Sequence, residues 1–183
     1  MIKKNQNGFT LIELIITIVI VSILSLIIVY AYEVYVEEAK VTEIYTNVNA
    51  IHTAQNLYFM EKGRYANSLS YLPIVEDIGY YSVTLHNDTR STKDFLYKTW
   101  TDASGTLFIE VEKPIGTLSP APVGVSAYGI AYVIRYKIVF QQKKGERNLS
   151  HFSHSTWQKA TPAEKKVVGR IVKRITGETI STL

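Results

Sequence analysis

The sequence predicts an α+β fold in which one long N-terminal helix packs on an antiparallel β-sheet, with a short amphipathic helix at the C-terminus. Three observations predict it. A predominantly apolar run from Phe9 to Val29 leads into a segment with apolar residues at three- and four-residue steps. The second half then alternates β-branched and aromatic residues with polar ones. Finally, a helix-start signal stands at Thr161.

The long helix is predicted from Phe9 to about Glu61. Its first half is apolar on every side, whereas its second half has one apolar face and a polar remainder. No proline interrupts the segment, and Gly63 follows as a natural stop. A helix of that length would measure on the order of 80 Å. The apolar face of the second half comprises Val41, Ile44, Val48, Ile51 and Tyr58, with Ala54 and Leu57 beside that face.

Four β-strands are predicted beyond this helix, at residues 80–86, 95–101, 106–113 and 128–142. In the last strand Tyr136 and Ile138 fall on one face while Arg135 and Lys137 fall on the other, because successive side chains alternate. Residues 102–105 are predicted to form a hairpin loop, since their glycine can adopt a positive φ.

The C-terminal helix is predicted to run from Pro162 to about Thr176. Thr161 is its N-cap and Glu164 completes a capping box, while Gly177 provides a stop. We expect this helix to pack on the sheet or along the long helix. Its apolar face comprises Val167, Val168, Ile171 and Ile175. Its basic residues, a candidate docking set, are Lys165, Lys166, Arg170, Lys173 and Arg174.

Charge differs in sign between the two halves of the chain. Residues 9–99 hold 6 Lys/Arg against 10 Asp/Glu, whereas residues 100–183 hold 12 against 6. Such regions are either solvated faces or complementary docking surfaces between subunits. Basic residues alone favour only a weak, salt-sensitive attraction to DNA. The 183 residues include no cysteine, so packing and not disulfides must hold the single domain that the length allows.

One carboxylate, that of Glu13, lies inside the apolar run. An ionisable group at membrane depth costs on the order of 2.5–3.5 kcal/mol and indicates a functional group with a partner. A basic leader with Lys3 and Lys4 precedes the run and ends at Gly8. A secretory signal is shorter and ends in a small-residue cleavage site, which is missing here. An ordinary single-pass anchor fits the length but leaves Glu13 unexplained.

This combination resembles the N-terminal signal of type IV prepilins, shared by the pseudopilins of type II secretion. The resemblance implies that a prepilin peptidase cuts after Gly8 and methylates Phe9. It also implies that Glu13 neutralises the terminal amine of a neighbouring subunit during assembly. The pilin-like lollipop so implied divides into a leader at 1–8, a membrane or filament-core helix at 9–31, an amphipathic helix at 32–62 and a globular domain at 63–183.

The function implied is a structural subunit of a type IV pilus, with adhesion, motility or DNA uptake as properties of the filament. Its partners would be like subunits, the peptidase, an inner-membrane assembly platform and the bilayer. The precursor would span the inner membrane with its leader in the cytoplasm, and the filament would lie outside that membrane. Alternatives are a type II secretion pseudopilin and a membrane-anchored binding module that never polymerises. Two family features are absent, a disulfide-closed loop and the usual proline of the apolar segment.

No enzymatic activity, cofactor or metal site is predicted. The sequence lacks a cysteine nucleophile and a Gly-rich phosphate loop, and His151 and His154 lack acidic or cysteine partners nearby. Asn148 stands in an N-x-S sequon with Glu146 two residues before it, a form that some bacterial glycosylation systems recognise. A weaker sequon begins at Asn87.

Overall fold

The computed structural model describes residues 9–73, 89–91, 94–115, 134–152, 155–157 and 159–180. The chain divides into two compact units, Met1–Ala39 and Lys40–Leu183.

Helix α1 spans Leu11–Lys62. It ends where predicted, because Gly63 adopts a left-handed φ of 71° and its N–H donates to the carbonyl of Phe59 at 2.8 Å. It begins two residues later than predicted. The Thr10 hydroxyl accepts from the backbone N–H of Glu13 at 3.3 Å, so Thr10 caps the helix instead of continuing it.

A five-stranded antiparallel sheet follows, and its strands are neighbours in chain order. They are β1 (Thr89–Ser91), β2 (Leu96–Thr101), β3 (Leu107–Pro114), β4 (Ile134–Gln142) and β5 (Ser150–His151). The predictions for β2, β3 and the described part of β4 are confirmed. The predicted strand at 80–86 and the beginning of the 128–142 strand lie outside the described residues. Strands β1 and β5 were not predicted, because two or three residues are too few to display an alternating pattern.

The β2–β3 hairpin loop is organised around Asp102. Its carboxylate accepts hydrogen bonds from the backbone N–H groups of Ser104 and Thr106, both at 2.9 Å. Gly105 has a φ of 81°, which confirms the predicted role of the glycine.

The hydrophobic core lies between the second part of α1, one face of the sheet and the C-terminal helix α2, which spans Pro162–Thr176. Each fully buried large side chain stabilises the fold by about 1.5–3 kcal/mol. The α1 contribution is Val41, Ile44, Val48, Ile51 and Ala54, the sheet adds Tyr97, Ile109, Val111, Ile138 and Phe140, and α2 adds Val167, Val168, Ile171 and Val172.

Leu57, which the sequence pattern placed beside the apolar face, is not part of the core, because it is 54% exposed. The buried face continues from Ile51 to Gln55, four residues on, and Gln55 is fully buried. Its amide nitrogen donates to the carbonyl of Ala66 and to the Thr99 hydroxyl, both at 2.9 Å, while its oxygen accepts from the Ala66 N–H at 2.8 Å. One side chain therefore ties the segment after α1 to both the helix and the sheet.

Helix α2 has the predicted capping box and ends at Gly177, whose φ is 77°. It packs against both predicted partners. Arg135 on β4 pairs with Glu164 at 3.1 Å, and the Arg174 guanidinium lies 4.6 Å from the centre of the Tyr45 ring on α1. Val172 is also buried, although the predicted apolar face did not include it. The observed apolar face of α2 is therefore one residue wider than the predicted one.

Candidate assembly helix and charged surfaces

The first part of α1 is an apolar rod. Leu11–Val29 is the one helix, among the described residues, that is long and apolar enough to cross a membrane. Its mean hydropathy is 3.0, and none of it is buried. At 1.5 Å per residue its 19 residues span about 28 Å, close to the hydrocarbon thickness of a bilayer. A segment with this composition requires an apolar environment, and the described residues do not supply one.

The few hydroxyl groups in this rod are satisfied by the helix itself. Thr17 donates to the carbonyl of Leu14 at 2.8 Å, and Ser22 donates to the carbonyl of Ile18 at 2.7 Å. Ser25 bonds back in the same way. Since these donors already have partners, burial of the rod in lipid or among other helices leaves no unsatisfied hydroxyl.

Glu13 is the single charged residue between Phe9 and Val29. One of its oxygens accepts from the backbone N–H of Thr10 at 2.8 Å and from the Thr10 hydroxyl at 2.7 Å. The carboxylate is thereby held at the first turn of α1, where the partial positive charge of a helix N-terminus favours an anion. Phe9 precedes this turn and is 82% exposed. Gly8 lies outside the described residues.

Comparison with known proteins matches this same region. A family model described as a prokaryotic N-terminal methylation motif covers residues 3–29. The type IV major pilin protein PilA of Myxococcus xanthus is 41% identical over 74 residues, which are 39% of this chain and 34% of that protein. A fimbrial protein of Pseudomonas aeruginosa is 35% identical over 82 residues, which are 45% of this chain and 53% of that protein.

The N-terminal segment of this chain therefore resembles that of type IV pilins. The predicted resemblance to this family and the pilin-like α+β fold are both confirmed. The methylation motif and the apolar helix fit a membrane-anchored pilin precursor. The chain spans between about a third and about half the length of these two relatives. No solved structure matches it.

The candidate docking set on α2 does not form one uniform face in this pilin-like domain. Lys166 and Lys173 are exposed, whereas Lys165 and Arg170 are half-buried. Arg174 bonds to the Thr42 hydroxyl at 3.4 Å in addition to its stacking on Tyr45. Arg174 therefore holds α2 against α1, and the other four cations are the better candidates for contact with a neighbouring subunit.

A buried charge cluster that the sequence analysis missed lies on the sheet face opposite α1. Lys98 on β2 lies 2.9 Å from Glu112 and 3.9 Å from Glu110, both on β3. Lys137 on β4 lies 3.6 Å from Glu110. Burial and the neighbouring Glu112 raise the pKa of Glu110 to about 7, although both lysines act in the opposite direction. The sequence does contain a signal for this cluster, because Glu110 and Glu112 occupy alternate positions of an otherwise strongly apolar strand.

Histidines form no cation site in the described part of the chain, where no group of three or more His, Asp or Glu side chains could hold a metal ion. His52 lies 3.0 Å from the Gln142 side-chain oxygen and 3.1 Å from the Asn56 amide nitrogen, both measured from Nε2. A single tautomer can satisfy only one of these contacts. Burial lowers the pKa of His52, so its ring is neutral at pH 7. His151 contacts the Ser155 hydroxyl at 2.9 Å, and His154 lies outside the described residues.

Proposed function

We propose that this protein is a structural subunit of a type IV pilus, inserted in the inner membrane and polymerised through the N-terminal part of α1. The observation that carries the proposal is the exposed apolar segment Leu11–Val29 with one carboxylate in its first turn. In a bilayer the segment is solvated by lipid, and in a filament it is buried against equivalent segments. Lipid and neighbouring helices therefore both remove the same apolar surface from water.

Glu13 gives this packing a direction and a register. The terminal amine of a chain that begins at Phe9 is positive, and a neighbour's carboxylate is its natural partner. At about 4 Å such a pair gains only ~1 kcal/mol in water but several times more at lower effective dielectric. An apolar helix that carries an unpaired carboxylate is penalised at any other axial offset, because the charge then lies in lipid or among apolar side chains. The two hydrogen bonds from Thr10 fix the carboxylate near the helix start until it meets the amine.

Processing precedes assembly in this proposal. Prepilin peptidase cuts between Gly8 and Phe9 and methylates the Phe9 amine, and an inner-membrane platform then adds the subunit to the filament. The division into a leader at 1–8, a core helix at 9–31, an amphipathic helix at 32–62 and a globular domain at 63–183 is part of the same proposal. Positive charge on α2, at Lys165, Lys166, Arg170 and Lys173, docks on acidic surface of a neighbouring subunit.

The decisive experiment compares Glu13→Gln with Thr17→Ala in the native host. Both variants remove a polar feature of the apolar rod, but only Glu13→Gln removes the charge. N-terminal peptide mass, measured on membranes, should show a methylated chain that begins at Phe9 in both variants. Sheared filaments should contain at least ~10-fold less of the Glu13→Gln chain than of the Thr17→Ala chain, because a loss above ~1.4 kcal/mol is expected from the missing pair.

Three outcomes would contradict the proposal. An uncut chain that begins at Met1, in a host with active peptidase, would indicate an ordinary membrane-anchored binding module. Equal filament content of the two variants would remove the role of Glu13. Processed protein that is confined to short filaments in the cell envelope would favour the type II secretion pseudopilin instead.

A further inference from the structure

The β4–β5 connection, residues 143–149, is fixed at both ends while its middle is exposed. The side-chain nitrogen of Gln142 donates to the carbonyl of Glu146 at 2.7 Å and to the Asn56 side-chain oxygen of α1 at 3.2 Å. Leu149 is 5% exposed and belongs to the core. Asn148 therefore stands between two anchor points on an exposed segment.

The side chain of Asn148 is uncommitted. It is exposed and takes no hydrogen bond from, and gives none to, any residue that the structure describes. The next two residues complete an N-x-S sequon, and the Ser150 hydroxyl makes only a long contact of 3.4 Å with the carbonyl of Gln141. Glu146 supplies an exposed carboxylate two residues before the asparagine.

A cavity of about 360 Å³ opens beside Asn148, between α1, the end of α2 and the β4–β5 connection. Its volume is in the range of small-molecule sites. Polar groups come from Asn49, His52 and Thr176, and apolar surface comes from Leu149 and Ile175. The Asn49 amide, like that of Asn148, has no hydrogen-bond partner within the described ranges. Such a lining suits a sugar ring, which presents hydroxyl groups at its edge and C–H groups on its faces.

We propose that Asn148 is a site of N-linked glycosylation and that the first sugar residue packs into this cavity. The sequon supplies the acceptor, and the exposed connection supplies access for an oligosaccharyltransferase. The cavity accommodates the sugar that would otherwise crowd α2. The inference goes beyond filament assembly and requires only that the domain reaches the outer side of the membrane.

The chemistry is a simple group transfer. The donor is an oligosaccharide linked through its C1 carbon to a lipid pyrophosphate. The amide nitrogen of Asn148 forms a bond to C1 and gives up one proton. The bond from C1 to the phosphate oxygen breaks, and the lipid pyrophosphate leaves with its electron pair. No oxidant or reductant is needed.

The test expresses the full-length chain in a bacterial host that makes such a donor and its oligosaccharyltransferase. A C-terminal tag with an established acidic sequon serves as an internal control for transferase activity. Mass spectrometry of the tryptic peptide 148–159 should show the glycan mass, localised to Asn148 by fragmentation. Asn148→Gln should abolish it, and Glu146→Gln should lower its occupancy several-fold. Asn87→Gln, at the second sequon, should leave it unchanged.

A modified tag on a chain whose Asn148 is bare would overturn the acceptor assignment. So would a glycan that persists on this peptide in Asn148→Gln. The seating of the sugar is tested by the change in Tm between glycosylated and unglycosylated chains in detergent. The change should be positive in the wild type and smaller in Asn49→Ala, and equal changes in both would exclude the cavity as the sugar's position.

Discussion

Three polar residues in apolar surroundings, Gln55, Glu110 and Glu13, differ in where their hydrogen-bond and ion-pair partners come from. Gln55 has all its partners within the fold, since Ala66 and Thr99 bind both ends of its amide. Glu110 has two lysine partners, but it is buried beside Glu112, so its charged form is disfavoured. Among the residues that the structure describes, Glu13 binds only Thr10, which leaves the carboxylate available to a positive group from elsewhere.

The raised pKa of Glu110 predicts a stability that depends on pH. The folded protein retains this proton up to a pH of about 7, whereas the unfolded chain releases it near the ordinary value of 4.5. The unfolded chain therefore binds fewer protons between these limits, and stability falls as pH rises from about 4.5 to about 7. Burial lowers the pKa values of His52 and His151 from 6.5 and acts in the opposite direction, so the Glu110 contribution is measured by comparing the change in Tm from pH 5 to pH 7.5 in the wild type and in Glu110→Gln, both in detergent.

Glu110→Gln should flatten this dependence, because glutamine imitates the protonated carboxyl group at every pH. The matched control is Glu61→Gln on α1, whose side chain is 68% exposed and pairs with Lys62. This control should keep the wild-type slope. Equal slopes in Glu110→Gln and the wild type would contradict the assignment.

At the scale of elements, the two helices are stabilised in different ways. The core-facing part of α1 and the whole of α2 bury one apolar face against the sheet. The apolar part of α1 has no such face, so in the proposed membrane precursor its apolar side chains are buried by lipid. Helix α2 is short, so the unpaired backbone groups at its two ends are a large fraction of its hydrogen-bonding groups. Its capping box satisfies the N–H of Glu164 through the Thr161 hydroxyl at 3.3 Å.

Removal of this cap provides a test at the element scale. Thr161→Ala should lower the free energy of unfolding by about 1 kcal/mol, or roughly 2–4 °C in Tm, since one N–H at the helix start loses its partner. Thr179→Ala, an exposed threonine beyond the end of α2, should change the Tm by much less. Equal effects of the two substitutions, measured by thermal unfolding in detergent, would indicate that the capping box does not stabilise the helix.

At the scale of the whole molecule, charge and apolar surface are separated along the chain. The apolar segment comes first, acidic residues dominate up to residue 99, and basic residues dominate after it. Repeated contacts between unlike surfaces generate helical polymers when the rotation does not close. A subunit with these features is suited to a filament in which apolar helices form the centre and charged surfaces set the lateral contacts.

Charge reversal on α2 tests the lateral contacts. The triple change of Lys165, Lys166 and Arg170 to Glu should reduce sheared filaments several-fold, with normal N-terminal processing, because attraction to acidic surface becomes repulsion. The same change in charge at Lys143, Lys144 and Lys159, all exposed, serves as the control and should have a smaller effect. Similar filament content in the two triple variants would remove α2 from the proposed interface.

The extent of α1, the hairpin loop at Asp102 and the boundaries of α2 were predicted from the sequence. These features depend on local signals, such as apolar spacing, capping residues and a glycine with a positive φ, that lie within a few residues of each other. The family was likewise recognised from one short stretch, because leader charge, Gly8, Phe9 and Glu13 are adjacent in the chain. Local chemistry was sufficient in each of these cases.

Tertiary structure alone decided which polar side chains pair when they lie far apart in the sequence. Gln55 meets Thr99 across 44 positions, and His52 meets Gln142 across 90. Neither pairing can be predicted from residue spacing or composition. The Glu110 cluster and the cavity beside Asn148 likewise require strands and helices to come together. The sequence by itself determined the elements and the apolar segment, whereas the long-range contacts depended on packing, because they join residues whose separation along the chain carries no information about their distance in space.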